Sequence, residues 1–275
     1  MIQEKNLLES FQKKVIGQDH IFERLCRVIR RGEAGLTPEN EPKGAFLFLG
    51  PTGTGKTETA KAMAEILDVP LIRFDMSEYS NSQKWLHDFA SKLENKPTGV
   101  ILLDEIEKGD KDIMDYFLQI LSEALITVDL KEIRLHDYYI VMTSNLGSKN
   151  LYSLSPSEVK FVVGIRAQGF FRPEFLGRFH SGCILTYNPF TFDTIKEIAK
   201  LKIQQEMNKL AKKGYSCRSY TSAVIDKLLF YVMLNRDAGA RPIVQAIQED
   251  LADAILNSGK QSGVIDVQNG RIVFV

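Results

Sequence analysis

Up to about residue 188, short apolar runs alternate with amphipathic stretches. The runs at 45–49, 70–74, 100–103, 138–143 and 182–186 have strand length, and helix-period stretches lie near 58–67, 81–94 and 110–124. That alternation predicts a parallel sheet covered by helices on both faces. Before it, residues 4–31 read as helix with a break near Ile16-Gly17-Gln18-Asp19, and Leu36 to Pro42 as a polar loop holding two prolines. After Asn188-Pro189-Phe190 the pattern changes to a long amphipathic stretch, Thr194 to Lys213, and further helix to about residue 258. Apolar runs at 263–267 and 271–275 flank Asn269-Gly270, a hairpin signature. The fold class expected is therefore α/β: a sandwiched parallel sheet, then a small, mainly helical C-terminal domain ending in a short hairpin. Three segments follow: 1–42 as a helical lead and linker, 43–188 as the large domain, and 189–275 as the small one.

The first predicted strand runs straight into Gly50-Pro51-Thr52-Gly53-Thr54-Gly55-Lys56-Thr57, a full G-x-x-x-x-G-K-[ST] match with a helical stretch behind it. Strand, glycine-rich turn and helix are the context in which this motif cradles phosphate oxygens with backbone N–H groups. Lys56 is placed to reach the β- and γ-phosphates, and the Thr57 hydroxyl to sit on Mg²⁺. The expected ligands are ATP and Mg²⁺. The third strand ends in Asp104-Glu105. Asp104 suits Mg²⁺, which prefers hard oxygen donors, and Glu105 suits a general base for water. An acidic pair also suits the first turn of a helix. Asn145, after the next strand, could orient the water or simply cap a turn.

Composition narrows the field. The chain has 275 residues, 44% hydrophobic and 25% charged, with 35 basic and 35 acidic side chains. No global field draws it to nucleic acid, so a DNA-encircling loader is not expected. Cys26, Cys183 and Cys217 are scattered, without metal-ligand spacing, and read as buried free thiols. No signal-like core or bilayer-length apolar run stands in the sequence, and a reduced cytoplasm is the expected location.

The sequence resembles the AAA+ ATPases of the Clp family, most nearly the second ATPase module of the disaggregases. The resemblance rests on Val15 to Asp19, Phe46 to Thr57, Asp75-Met76-Ser77-Glu78-Tyr79, Val100 to Lys108, Met142 to Ser148, Phe171 to Arg178 and Gly239-Ala240-Arg241-Pro242, in the family's order. It implies an AAA+ P-loop module followed by a sensor-2 domain. It assigns Asn145 as first sensor, Arg178 as an arginine finger acting on a neighbouring subunit, and Arg241 as second sensor. It also puts Val15 and Ile16 at the adenine pocket. The ordinary alternatives are a surface arginine at 178 and a helix N-terminal residue before Pro242 at 241. A finger acting in trans implies a homo-oligomer, a hexamer or a helical stack, with a protein client of unknown identity.

The chain also departs from the family. The family's Gly-aromatic-Val-Gly loop, which grips threaded polypeptide, has no counterpart between Ser80 and Gly99. Gln83 to Leu93 reads instead as a helix with Trp85, Leu86, Phe89 and Leu93 on one face. Trp85 or Tyr79 is either a substitute gripping aromatic or part of a core, the core being favoured. Ile126 to His136 lacks the family's glycines, Gly177 stands where the family has Asn, and His180 where it has Asp. Val163-Gly164-Ile165 is too slight a likeness to the peptidase-docking tripeptide, and Clp peptidase binding is not expected. Two functions remain in view: an ATP-hydrolysing remodeller of proteins that does not thread them in the usual way, and an ATP-dependent switch or assembly scaffold.

Overall fold

A computed structural model describes residues 4–146, 151, 154–180 and 183–275. Gly147-Ser148 of the sensor motif and Gly182 of the fifth predicted strand lie outside the described residues, as do the first three residues of the N-terminal segment.

The chain divides into two compact units: residues 1–51 with 55–188, and residues 52–54 with 189–275. In the first unit, α1 (Glu4–Lys14) and α2 (Asp19–Glu33) precede β1 (Gly44–Leu49) and α3 (Lys56–Leu67). Next come β2 (Leu71–Asp75), α4 (Ser82–Leu93), β3 (Gly99–Asp104), α5 (Ile113–Glu123), the strands β4 (Leu125–Val128) and β5 (Lys131–Arg134), and β6 (Tyr138–Ser144). Then α6 (Pro156–Phe170), α7 (Pro173–Gly177) and β7 (Ile184–Thr186) close the unit. The sheet order is β2-β3-β6-β1-β7, every pair parallel. β3 and β6 are buried at every position, as strands covered on both faces must be. Each predicted strand and helix of the ATPase region is present.

Register decides where the chemistry collects. Asp75 lies opposite Asp104, Leu103 opposite Met142, and Leu49 opposite both Ser144 and Thr186. The carboxyl ends of all five strands therefore share one edge, the edge at which open parallel sheets bind ligands.

The N-terminal helices belong to this unit. Leu7 and Phe11 of α1 are buried, the Phe11 ring stacks on Phe22 at 5.7 Å, and Lys14 pairs with Glu65 of α3 at 2.5 Å. Gln18 is fully buried; its side-chain amide donates to the Asn188 carbonyl at 2.9 Å and accepts from the Asn188 N–H at 3.1 Å.

In α4, Asn81 caps the N-terminus by accepting from the Gln83 and Lys84 N–H groups. Trp85 is 0% exposed and lies among Phe74, Phe89 and Phe117; Tyr79 is 3% exposed. The core alternative holds for both aromatics. The region after α5, flagged for its missing glycines, is a β4–β5 hairpin whose tip residues Asp129 and Leu130 both have positive φ, at 49° and 65°.

The second unit holds α8 (Phe192–Lys212), β8 (Ser216–Tyr220), α9 (Ser222–Leu234), α10 (Arg241–Ser258), β9 (Ser262–Gln268) and β10 (Arg271–Phe274). The terminal hairpin turns at Asn269-Gly270, with φ of 50° and 72°. It is not a lone hairpin: β8 pairs parallel to β9 and makes a three-stranded sheet. Its residues, Ser216-Cys217-Arg218-Ser219-Tyr220, carry too few apolar side chains to announce a strand.

Candidate functional site at the carboxyl edge of the sheet

The loop after β1 is shaped by glycine. Gly50 has φ 139°, and a Cβ there would meet the Tyr187 carbonyl oxygen at 2.5 Å, so no other residue fits. Gly55, at φ 98°, is the N-cap of α3 and offers no side chain to its first N–H groups. Lys56 opens the helix and is 6% exposed. Its Nζ donates to the Gly50 and Pro51 carbonyls at 2.6 and 2.7 Å. A buried ammonium inside a turn whose helix end carries partial positive charge forms a strongly cationic pocket, which fits a polyphosphate.

The Thr57 hydroxyl lies 3.2 and 3.3 Å from the two carboxylate oxygens of Asp104, which is 4% exposed. Two hard oxygen donors side by side at the phosphate end of the loop fit Mg²⁺. Asp104 is held from two more sides. Thr143 Oγ1 donates to its Oδ1 at 2.5 Å and Arg73 Nη2 to its Oδ2 at 2.8 Å.

Glu105 departs from the strand at φ 58° and ψ 52°, a left-handed conformation unusual for a side-chain-bearing residue. Its N–H donates to Thr143 Oγ1 at 3.0 Å, so one hydroxyl ties both acidic residues to β6. Asn145 Nδ2 donates to Glu105 Oε1 at 2.8 Å, and the Lys108 ammonium pairs with Oε2. That hydrogen bond from Lys108 to Glu105 is the chief reason the Lys108 ammonium titrates above its ordinary range. The Asn145 N–H is bound in turn by Glu107 Oε1 at 2.9 Å.

The structure thus brings together Lys56, Thr57, Asp104, Glu105 and Asn145. Arg178 lies elsewhere in the first unit. It caps α7, is exposed, and has no side-chain hydrogen bond or ion pair among the described residues. Arg241 is the first residue of α10 in the second unit, and Thr52, Gly53 and Thr54 group with that unit. Val15 is 4% exposed and Ile16 half-buried, between α1 and α2. Arg172 pairs with Asp115. Val163-Gly164-Ile165 lies within α6 rather than in a loop. Sequence reasoning did not single out Arg73, Thr143, Glu107 or Lys108. Arg73 and Thr143 come into play only through strand register, which the hydrophobic pattern does not encode.

Comparison with known proteins finds relatives along most of the chain. The family model described as AAA domain (Cdc48 subfamily) matches residues 41–181. The chain is 32% identical to chaperone protein ClpB of Wolinella succinogenes over 96% of its own length and 34% of the relative's. It is 34% identical to the ATP-dependent Clp protease ATP-binding subunit ClpE of Lactococcus lactis over 91% of its length and 36% of the relative's. The chain therefore spans about a third of these curated relatives. Among solved structures, the closed-state cryo-EM reconstruction of Hsp104 with ATPγS and FITC-casein matches with a TM-score of 0.82 and 27% identity. That match covers 99% of this chain and 51% of the other.

Proposed function

This chain belongs to the AAA domain family, among the Clp-type AAA+ ATPases, and on that premise we propose that it hydrolyses ATP to remodel a protein partner as part of a head-to-tail oligomer. The observation that carries the proposal is the convergence of the Lys56 loop, the Thr57–Asp104 pair and the Glu105–Asn145 pair on one sheet edge. Residues Gly50 to Lys56 would hold the phosphates, Thr57 and Asp104 would hold Mg²⁺, and Val15 and Ile16 would border the base. Bound Mg²⁺ supplies charge neutralisation on the transferring phosphoryl group. Glu105 accepts the proton of the attacking water once its carboxylate is free of Lys108, and the Asn145 amide keeps that carboxylate in place. Arg178, exposed and without a side-chain partner among the described residues, is free to reach a neighbouring copy's site, and Arg241 is assigned to sense the γ-phosphate.

Support for a protein client comes from relatives named as chaperones and from the FITC-casein of the Hsp104 reconstruction. A second reading, an ATP-dependent switch or assembly scaffold, draws on the buried Trp85 and Tyr79. With both aromatics in the core, neither is presented for gripping a polypeptide. The proposed oligomer is a hexamer or a helical stack, and Clp peptidase is not among the proposed partners. No helix among the described residues is long and apolar enough to cross a membrane.

The test is ATP turnover per subunit as protein concentration rises, with Arg178→Ala beside the parent. Turnover that climbs with concentration, and a variant that binds ATP without hydrolysing it, is the expected result. Flat turnover in both would overturn the shared site. Loss of client tertiary structure on ATP addition separates a remodeller from a scaffold, which leaves it intact.

A further inference from the structure

Asn145 sits one residue beyond the end of β6, where the ladder no longer fixes the backbone. Its side chain nevertheless has a demanding position, 2.8 Å from Glu105 Oε1. What holds the backbone there is a carboxylate two residues along from Glu105. Glu107 Oε1 accepts the Asn145 N–H at 2.9 Å. The turn Ile106–Lys108 carries Glu107, and Ile106, 2% exposed, anchors that turn in the core.

The connections form a closed ring. Glu105 leads covalently through Ile106 to Glu107, Glu107 binds the Asn145 backbone, and the Asn145 side chain returns to Glu105. Within such a ring the amide cannot swing without breaking a charge-assisted hydrogen bond. Glu107 also carries a cost. Its second oxygen, Oε2, is buried and has no hydrogen-bond partner among the described residues. An unmatched buried carboxylate oxygen is unfavourable and calls for a compensating role.

We infer that Glu107 is a positioning residue for ATP hydrolysis: its carboxylate holds the Asn145 backbone so that the Asn145 amide stays aimed at Glu105. The inference rests on the ATPase reading above. Glu107 does not touch the reacting atoms; it acts only through Asn145. Its loss therefore slows the chemical step and leaves nucleotide binding alone.

The test compares Glu107→Ala, Glu107→Gln, Asn145→Ala and the double Glu107→Ala/Asn145→Ala in the full chain, with circular-dichroism melting to confirm folding. Glu107→Ala should lower kcat about 10-fold or more, within the range of outer-shell substitutions, with KM for ATP nearly unchanged. Glu107→Gln keeps an acceptor oxygen and should recover most of that loss. The double variant should be no slower than Asn145→Ala alone, because the two act as one unit. Multiplying losses, an equal loss in Gln and Ala, or parental kcat in Glu107→Ala would each overturn the inference. Hydrogen exchange at the Asn145 N–H reads the same link without turnover. It should quicken in Glu107→Ala and stay slow in Glu107→Gln; unchanged exchange sinks the inference. Absence of turnover in the parent chain, by contrast, would count against the ATPase reading and leave the exchange result to decide the link.

Discussion

Replacing Thr143 by valine keeps the shape of the side chain and deletes one hydroxyl. That hydroxyl has two tasks at the end of β6: it donates to Asp104 Oδ1 at 2.5 Å and accepts the Glu105 N–H at 3.0 Å. Thr143 is 1% exposed, so water does not readily take over. A hydrogen bond to a charged acceptor contributes about 1.5–3 kcal/mol, and a buried N–H left without an acceptor costs about 1–3 kcal/mol. Asp104 retains Arg73 and Thr57, which limits the first loss. The sum, allowing for partial relaxation, is about 2–4 kcal/mol. Urea unfolding followed by circular dichroism measures it, with Thr143→Ser as the control that keeps the hydroxyl and stays within about 1 kcal/mol of the parent. If Thr143→Val unfolds within about 0.5 kcal/mol of the parent, the hydroxyl is idle and the account of how Asp104 and Glu105 are held is wrong.

Three further outcomes are expected. Trp85→Ala should cost about 3–5 kcal/mol in urea unfolding, the range for a truncated core aromatic. Trp85→Phe should cost much less, because the indole Nε1 has no hydrogen-bond partner among the described residues. Leu130→Gly should raise the unfolding free energy measured in urea slightly, by about 0.5 kcal/mol. A left-handed leucine costs about 1–2 kcal/mol, and the entropy of glycine returns part of the gain. The Asp75 carboxyl is held below its ordinary range, chiefly by the Ser77 hydroxyl at 2.6 Å. A depressed carboxyl stabilises the fold above its unfolded value of about 4 and loses that contribution as the pH falls through the folded value. Ser77→Ala should therefore narrow the stability gap between pH 7 and pH 3, measured as the difference in Tm.

The alternation of apolar runs and helical stretches was enough to lay out the five-stranded sheet, because strands buried on both faces cannot disguise their composition. The loop at Gly50–Thr57 was legible for a different reason: its glycines answer to backbone geometry that the structure displays at Gly50 and Gly55. Other elements gave little signal. The β4–β5 hairpin turns on Asp129-Leu130, not a glycine pair, and β8 is polar, so neither carried a turn or strand signature. Helix α6 exposes Phe161, Ile165 and Phe170 while burying Val159 and Val163, which leaves no polar face to reveal its period. At the site, Asp104 and Glu105 stood out as carboxylates at a strand end. Arg73, Thr143, Glu107 and Lys108 did not, since their roles arise from register and from a left-handed turn at Glu105.

The reciprocal amide pair of Gln18 and Asn188 joins positions 170 residues apart. Asn188 follows β7, which pairs with β1 on the far side from β6, so the pair has nowhere to form until the last strand has docked. The segment around Gln18, which precedes the sheet in the sequence, must then wait for nearly the whole first unit before it can lock. Contacts of such long sequence separation are slow to close, because loop entropy is lost before any bond repays it. Locking of the segment around Gln18 is accordingly a late event in refolding, and protection of its buried amide protons would lag behind that of β3 and β6.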